Sequence, residues 1–123
     1  MSEVSRPIAH APSLYAATAG TLPERDTWNL VDAGIGAGRL YCGVWRSEVG
    51  HWRIEMGVGE HELFTVQAGR CRVHREDGSF DEAGPGEALF IPAGFRGSLE
   101  VLEPVIKTYA IVAPQAGAQT PAD

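Results

Sequence analysis

At 123 residues the chain is long enough for one domain with its own core and too short for two. Ten basic residues against sixteen acidic ones leave a formal charge of −6, and no Lys/Arg run stands out, which argues against a phosphate-backbone partner and so against nucleic acid. No apolar run reaches the roughly 18 residues of a membrane helix and the N-terminus lacks a charged start followed by an apolar stretch, so no membrane contact is expected and the location is expected to be cytoplasmic.

Residues 1–26, rich in Ala, Pro, Ser and Thr and without a sustained period, read as an extended arm that wraps a neighbouring surface, with Leu14-Tyr15 as its anchor. His10 lies in this arm and reads as an exposed polar side chain. Trp28 to Val31 reads as a first strand, and Asp32 to Gly38 as a glycine-rich link. The three alternating glycines in that link resemble a phosphate cradle, but no Lys-Ser/Thr ends it and no helix follows, so it reads as a turn. Arg39 to Arg46 is aromatic and β-rich, Ser47 to Gly50 turns it, and His51 to Met56 is expected to pair back as a hairpin. In that second strand Trp52, Ile54 and Met56 share one face, and His51, Arg53 and Glu55 the other.

After the link Gly57 to Glu60, His61 to Gln67 places Glu62, Phe64 and Val66 on one face. Ala68-Gly69 then reads as a turn into Arg70 to Glu76, whose alternation sends Cys71 and Val73 inward and Arg70, Arg72 and His74 outward, which makes His74 a solvated side chain and not a ligand. Asp77-Gly78 is a hairpin signal. The stretch GPGEALFIPAGFRG, Gly84 to Gly97, reads as a short buried strand between two tight turns, ending at Pro92 because proline has no N–H to give to a ladder. Phe95 to Leu102 alternates again, Glu103-Pro104 breaks it, and Val105 to Val112 is the last strand, with Lys107 and Tyr109 on the face of Val105 and Ile111. The tail from Pro114 is expected to be disordered. Cys42 and Cys71 have no CxxC spacing and sit in apolar stretches, so both are expected as reduced core thiols.

Seven or more short strands at roughly ten-residue spacing, with turn signals between them and no amphipathic helix, call for an all-β sandwich or barrel, the jelly roll being a topology that closes its edges at this size. The expected organisation is an arm over residues 1–26, one barrel over 27–113 and a tail over 114–123.

Glu62, six residues and then Gly69 resembles the end of the first cupin motif; Gly86, five residues, Pro92, one residue and Gly94 resembles most of the second. The phrases EDG, IPAGFRG and LEPVIKTYAI resemble the small single-domain cupins related to (S)-ureidoglycine aminohydrolase, over roughly residues 40 to 112. The resemblance implies a cupin-type double-stranded β-helix, the jelly-roll barrel, commonly dimeric, with any site inside the barrel mouth. Metal-binding cupins take two His and a Glu from the first motif and one His from the second, a mixed set suited to Fe, Mn, Ni or Zn. In this chain the two first-motif His positions fall on Met56 and Val58, or with one more spacer residue on Glu55 and Gly57, and the second-motif His falls on Gly97. Only Glu62 is kept, so no cofactor is expected; a transition metal is the minority expectation, with Glu62, His61, His51 and Glu55 as its candidate ligands.

A Glu facing an apolar cavity needs a cationic or hydrogen-bonding partner or must stay protonated. Lys107 and Tyr109 are the favoured partners, ahead of Arg53 and Arg96, and Glu62, Lys107 and Tyr109 form the candidate catalytic set for general acid/base work. A structural ion pair is the competing reading of the same residues. Trp52, Met56, Phe64 and Phe95 are the candidate ligand-binding residues; like Trp45 and Phe90, they are core aromatics and apolar residues first and a stacking platform second. The expected function is a cupin barrel that binds a small polar metabolite, either as an enzyme of the ureidoglycine aminohydrolase-like group or as a non-catalytic binding or sensing module, assembled as a homodimer through its sheets and arm.

Overall fold

The computed structural model describes residues 23–114 and the backbone of Ala16–Ala17. The elements in chain order are β1 (Ala16–Ala17), β2 (Arg25–Ile35), β3 (Gly38–Ser47), β4 (Gly50–Glu55), β5 (His61–Arg75), β6 (Phe80–Ala83), β7 (Ala88–Ile91) and β8 (Arg96–Pro114), with no helix among the described residues. Every pairing is antiparallel.

Two long strands organise the barrel. The first half of β8 pairs with β4 (Trp52 with Leu99) and with the second half of β5 (Val73 with Leu99). Its second half pairs with β3 (Trp45 with Lys107) and with the first half of β5 (Phe64 with Tyr109). Each long strand therefore serves both walls. One wall runs β1-β4-β8-β5-β6 and the other β2-β3-β8-β5-β7.

The crossing from wall to wall occurs where the register of β5 on β8 shifts, between Val66 and Cys71. Gly69 sits there at φ 83°, and a Cβ on it would lie 2.1 Å from the Pro104 carbonyl oxygen, so both the backbone conformation and the close strand approach require glycine. Ala68-Gly69 and Glu103-Pro104 are thus bends within continuous strands. They are not the turn and the break that the residue types suggest, because bulges absorb the irregularity while the ladder goes on.

Two further expectations are corrected. The segment Asp32 to Gly38 is not a link: β2 continues to Ile35, and the hairpin to β3 turns at Gly36. β3 and β4 do not form a hairpin with each other. Both pair with β8, at different halves of it, because the chain between them passes from one wall to the other. The Asp77-Gly78 hairpin is present between β5 and β6, with Gly78 at φ 95° and Arg75 N–H donating to Ser79 O at 2.8 Å. The stretch from Gly84 to Gly97 holds β7, which stops at Ile91 before Pro92 as expected, but it is not the buried strand expected: among the described residues it pairs only with β5 and buries Ile91 alone, leaving Ala88 and Phe90 exposed. β2 begins at Arg25, inside the expected arm; of the arm before it, Ala16 and Ala17 pair with Arg53 and Trp52, while Leu14, Tyr15 and His10 lie outside the described residues, as does the tail after Pro114.

Inward residues follow the period of two. Trp45, Trp52, Ile54, Met56, Phe64, Val66, Cys71, Val73, Leu99, Val101, Val105, Tyr109 and Ile111 form one buried cluster, with Tyr41, Leu89 and Phe95 packed at its edge. Cys71 is the free, buried core thiol expected, whereas Cys42 is free but half-buried and lies outside the core, because alternation along β3 turns it away from the face of Tyr41, Gly43 and Trp45. No helix of the described residues is long and apolar enough to cross a membrane.

Candidate functional site

The β3-β8-β5 wall presents three inward rows, read directly from the register: Trp45, Lys107 and Val66; then Gly43, Tyr109 and Phe64; then Tyr41, Ile111 and Glu62. Glu62 and Lys107 lie two rows apart on neighbouring strands, and their long side chains meet across the Tyr109 row. Lys107 Nζ donates to Glu62 Oε2 at 3.1 Å, and the two side chains are 3% and 5% exposed. The Lys107 ammonium also stands 3.9 Å from the centroid of the Phe64 ring and 4.7 Å from that of Trp45. The pair is therefore a charge-assisted hydrogen bond enclosed by π-faces, which suits an ammonium that has left water.

Lys107 is the sole lysine of the chain; the nine other basic residues are arginines. Among the described residues, Arg39, Arg46, Arg53, Arg70, Arg72, Arg75 and Arg96 make ion pairs outside the barrel interior with carboxylates such as Asp32, Asp26, Glu55 and Glu82. Arg53 and Arg96 thus partner Glu55 and not Glu62.

Tyr109 shares the inward face but donates its hydroxyl to Asn29 Oδ1 at 2.9 Å. Burial, with the Glu62 carboxylate next and Cys42 after it, pushes the Tyr109 phenol above its ordinary range. It keeps its proton and acts as a donor. Asn29 reaches it because the β2 register shifts between Asn29 and Val31, a bulge that leaves Leu30 unpaired. Opposite, Gly43 leaves the room: a Cβ there would fall 2.0 Å from the Trp28 carbonyl oxygen and 2.7 Å from the Tyr109 hydroxyl. Asn29 and Gly43 are not site candidates from the sequence, and Trp45 is one only as a secondary stacking aromatic. An isolated glycine inside the strand pattern from Arg39 to Arg46 was the available signal of a close approach; the bulge left none.

Of the apolar candidates, Phe64 touches the pair directly. Trp52 is fully buried and packs at 6.1 Å between ring centroids against Trp45, with the Arg25 guanidinium 5.8 Å over its own ring. Met56 is buried, and its N–H donates to Phe95 O at 2.8 Å, tying the end of β4 to the turn before β8. Phe95 packs at the edge of the same core.

The four candidate metal ligands do not converge on the barrel. His61 points away from Glu62, stacks on Phe90 at 6.0 Å and accepts the Ala93 N–H at its Nδ1. His51 and Glu55 lie on the outer face of β4, Glu55 held below the usual carboxylate range first by the Arg53 hydrogen bond and then by Arg96. The second-motif His position, Gly97, has no room for a side chain, since a Cβ there would meet the His74 carbonyl oxygen at 2.0 Å. A second buried carboxylate, Glu60, accepts the Gly57 N–H at its Oε1 at 2.8 Å, closing the loop before β5. With Glu62 already bonded to an ammonium and apolar side chains around it, the barrel interior does not fit the transition metal of metal-binding cupins.

One expectation about the outer face is corrected. His74 is not a freely solvated side chain: its Nε2 lies 2.8 Å from Glu100 Oε1, and its ring packs 5.1 Å from that of His51 and 5.3 Å from that of Phe80.

The two walls exchanging their long strands define the class, a cupin jelly-roll barrel. Residues 36–109 match the EutQ-like cupin domain, and the chain belongs to that family. In the solved structures it is similar to the EutQ protein of Clostridium difficile, at 19% identity and a TM-score of 0.64, covering 80% of this chain and 69% of that one. It is also similar to a protein of unknown function from Pseudomonas syringae pv. tomato, at 27% identity and a TM-score of 0.65, covering 89% of this chain and 43% of that one. A third, from Rhizobium leguminosarum bv. viciae, also of unknown function, gives 22% identity and a TM-score of 0.60 over 94% of this chain and all of that one. No curated protein matches the chain.

Proposed function

We propose that the barrel is a metal-independent binding site for a small polar metabolite, organised on the Lys107–Glu62 pair. The observation that carries this reading is the enclosure of that pair, at 3.1 Å and almost without exposure, between Trp45 and Phe64. Desolvating two charges costs several kcal/mol per ion, by order of magnitude, and their attraction seldom does more than repay it, so such a pair is a weak stabiliser compared with apolar side chains of the same volume. Its use lies in what it offers a ligand. A ligand carboxylate exchanges with Glu62 on the Lys107 ammonium, a basic nitrogen exchanges with Lys107 on the Glu62 carboxylate, and a ligand bearing both satisfies both groups without leaving a buried charge unpaired. The resemblance to ureidoglycine aminohydrolase-like cupins points to the same class, nitrogen-containing and carboxylated metabolites.

A catalytic version of the site uses Glu62 as base and Lys107 or Tyr109 as proton donor. Binding without turnover is the better supported version, because the Tyr109 proton is committed to Asn29 and Glu62 is committed to Lys107.

The test is a thermal-shift screen of EDTA-treated, tag-free protein against ureides, small carboxylic acids and sugars. Stabilisation by a carboxylate-bearing ligand without metal, absent from Lys107→Met measured against its own midpoint, supports the reading. Stabilisation that requires added Mn²⁺, or that survives in Lys107→Met, overturns it. Turnover of the stabilising ligand, lost in Glu62→Gln, would make the protein an enzyme.

A further inference from the structure

On the opposite side of the β4-β8-β5 wall from the barrel core, three metal-ligating side chains from three strands meet. His51 on β4 is the cross-strand partner of Glu100 on β8; His74 on β5 is the partner of Ser98, one inter-residue row away on the same outer face. One ring nitrogen from each histidine and one oxygen of Glu100 all lie within 4.8 Å of one another, the sole such group of three among the described residues. His51 Nε2 lies 2.8 Å from Ser98 Oγ, and His74 Nε2 lies 2.8 Å from Glu100 Oε1.

We propose that His51, His74 and Glu100 form a surface site for a borderline divalent cation of the Zn²⁺ type, independent of the barrel interior and of the reading given for it. Two imidazoles and one carboxylate are the donor set such ions prefer, and three protein ligands leave at least one coordination position to water. Tetrahedral ligation at about 2.1 Å sets neighbouring donor atoms roughly 3.4 Å apart, so a closure from 4.8 Å by side-chain rotation suffices and the backbone need not move. The ladder supplies the preorganisation. Direct cross-strand partners such as His51 and Glu100 are held about 5 Å apart at Cβ, and His74, on the other side of β8, is the diagonal neighbour of Glu100, within reach of a long side chain. The half-buried settings of His74 and Glu100, with the Phe80 ring on one flank, restrict their rotamers further, while exposed His51 is the side from which the ion enters. The neighbouring charges are settled: Arg72 is paired with Glu82, and Arg53 with Glu55, so neither guanidinium is directed at Glu100. In this arrangement Ser98 Oγ is a second support for His51, orienting its ring from the row beside it.

The chain has four histidines, which makes the test direct. Tag-free, EDTA-treated full-length protein is titrated with Zn²⁺ by calorimetry and with Co²⁺ by visible absorption, then the measurements are repeated on His51→Gln, His74→Gln, Glu100→Gln, His61→Gln and His10→Gln. The proposal expects one Zn²⁺ per chain, a Co²⁺ spectrum with nitrogen ligation, and weakening by about tenfold or more in each of the first three variants, with the last two unchanged. Circular dichroism of His51→Gln, whose side chain is exposed, establishes that loss of binding is not loss of fold. Absence of saturable binding, binding retained in His51→Gln or His74→Gln, or binding lost in His61→Gln or His10→Gln would each overturn it.

Discussion

Replacing Lys107 with methionine keeps an unbranched side chain one heavy atom shorter and removes its charge, leaving the Glu62 carboxylate buried at 5% exposure without its ammonium. Orphaning one partner of a buried pair costs about 3–5 kcal/mol, a large share of the roughly 5–15 kcal/mol that holds a domain of this size together. The reverse change, Glu62→Met, leaves an ammonium that still faces Phe64 and Trp45 at 3.9 and 4.7 Å. A desolvated cation over an aromatic face gains about 1–2 kcal/mol, so this variant should lose about 2 kcal/mol less than Lys107→Met. The double variant removes both charges and should return to within about 1 kcal/mol of the unmodified protein, or exceed it. Urea denaturation of the four proteins at pH 7 gives a coupling energy of about 3 kcal/mol or more on this reasoning. Additive losses, within about 0.5 kcal/mol, would refute the argument that the two charges depend on each other.

The Tyr109 phenol, raised by burial, should stay protonated at about pH 10.5, where ordinary phenols have mostly ionised; ultraviolet titration of the native protein and Tyr109→Phe should then give equal phenolate signals, and an extra phenolate in the native protein contradicts this. Because the folded state keeps a proton that the unfolded state loses, Tyr109 makes stability fall as pH rises above about 10, a fall that Tyr109→Phe should lessen. Gly43→Ala should cost about 1–3 kcal/mol, since its methyl would press on the Trp28 carbonyl and the Tyr109 hydroxyl; an unchanged urea midpoint would mean that β2 does not close over Gly43. The outer row Phe90, Leu63, Ala110, Cys42 and Val31, with Leu63 50% and Phe90 57% exposed, is the face on which the expected homodimer can be tested. Light scattering should give twice 13.2 kDa for the native chain and 13.2 kDa for Leu63→Glu, and equal masses would exclude this face.

The alternation of residues around Glu62, Trp52, Leu99 and Lys107 is a local signal, set by which side chains face the core, and it was legible because one barrel face is apolar almost throughout. The strand partners were less so. Ser47 to Gly50 looks like a hairpin turn because its residues permit one, but β3 and β4 are claimed by different halves of β8, a non-local competition that no window of residues records. Gly69 and Pro104 read as chain reversals for the same reason: bends inside continuous strands use the residues that turns use. The Lys107–Glu62 pairing followed from the cost of an unpaired buried carboxylate. Asn29 could not be found that way, since its place beside Tyr109 depends on a bulge. His74 was misread because outward alternation says nothing of neighbours on the adjacent strands, and His51 and Glu100 come from two of them.

Because Lys107 is the chain's sole lysine, ¹⁵N-lysine labelling places a single side-chain ammonium probe inside the barrel. The proposed function predicts one exchange-protected ε-ammonium resonance in EDTA-treated protein, lost in Lys107→Met and shifted in a saturable way by the carboxylate-bearing ligand that stabilises the fold. A resonance that stays in place while such a ligand saturates the protein would contradict the claim that the barrel binds through this pair.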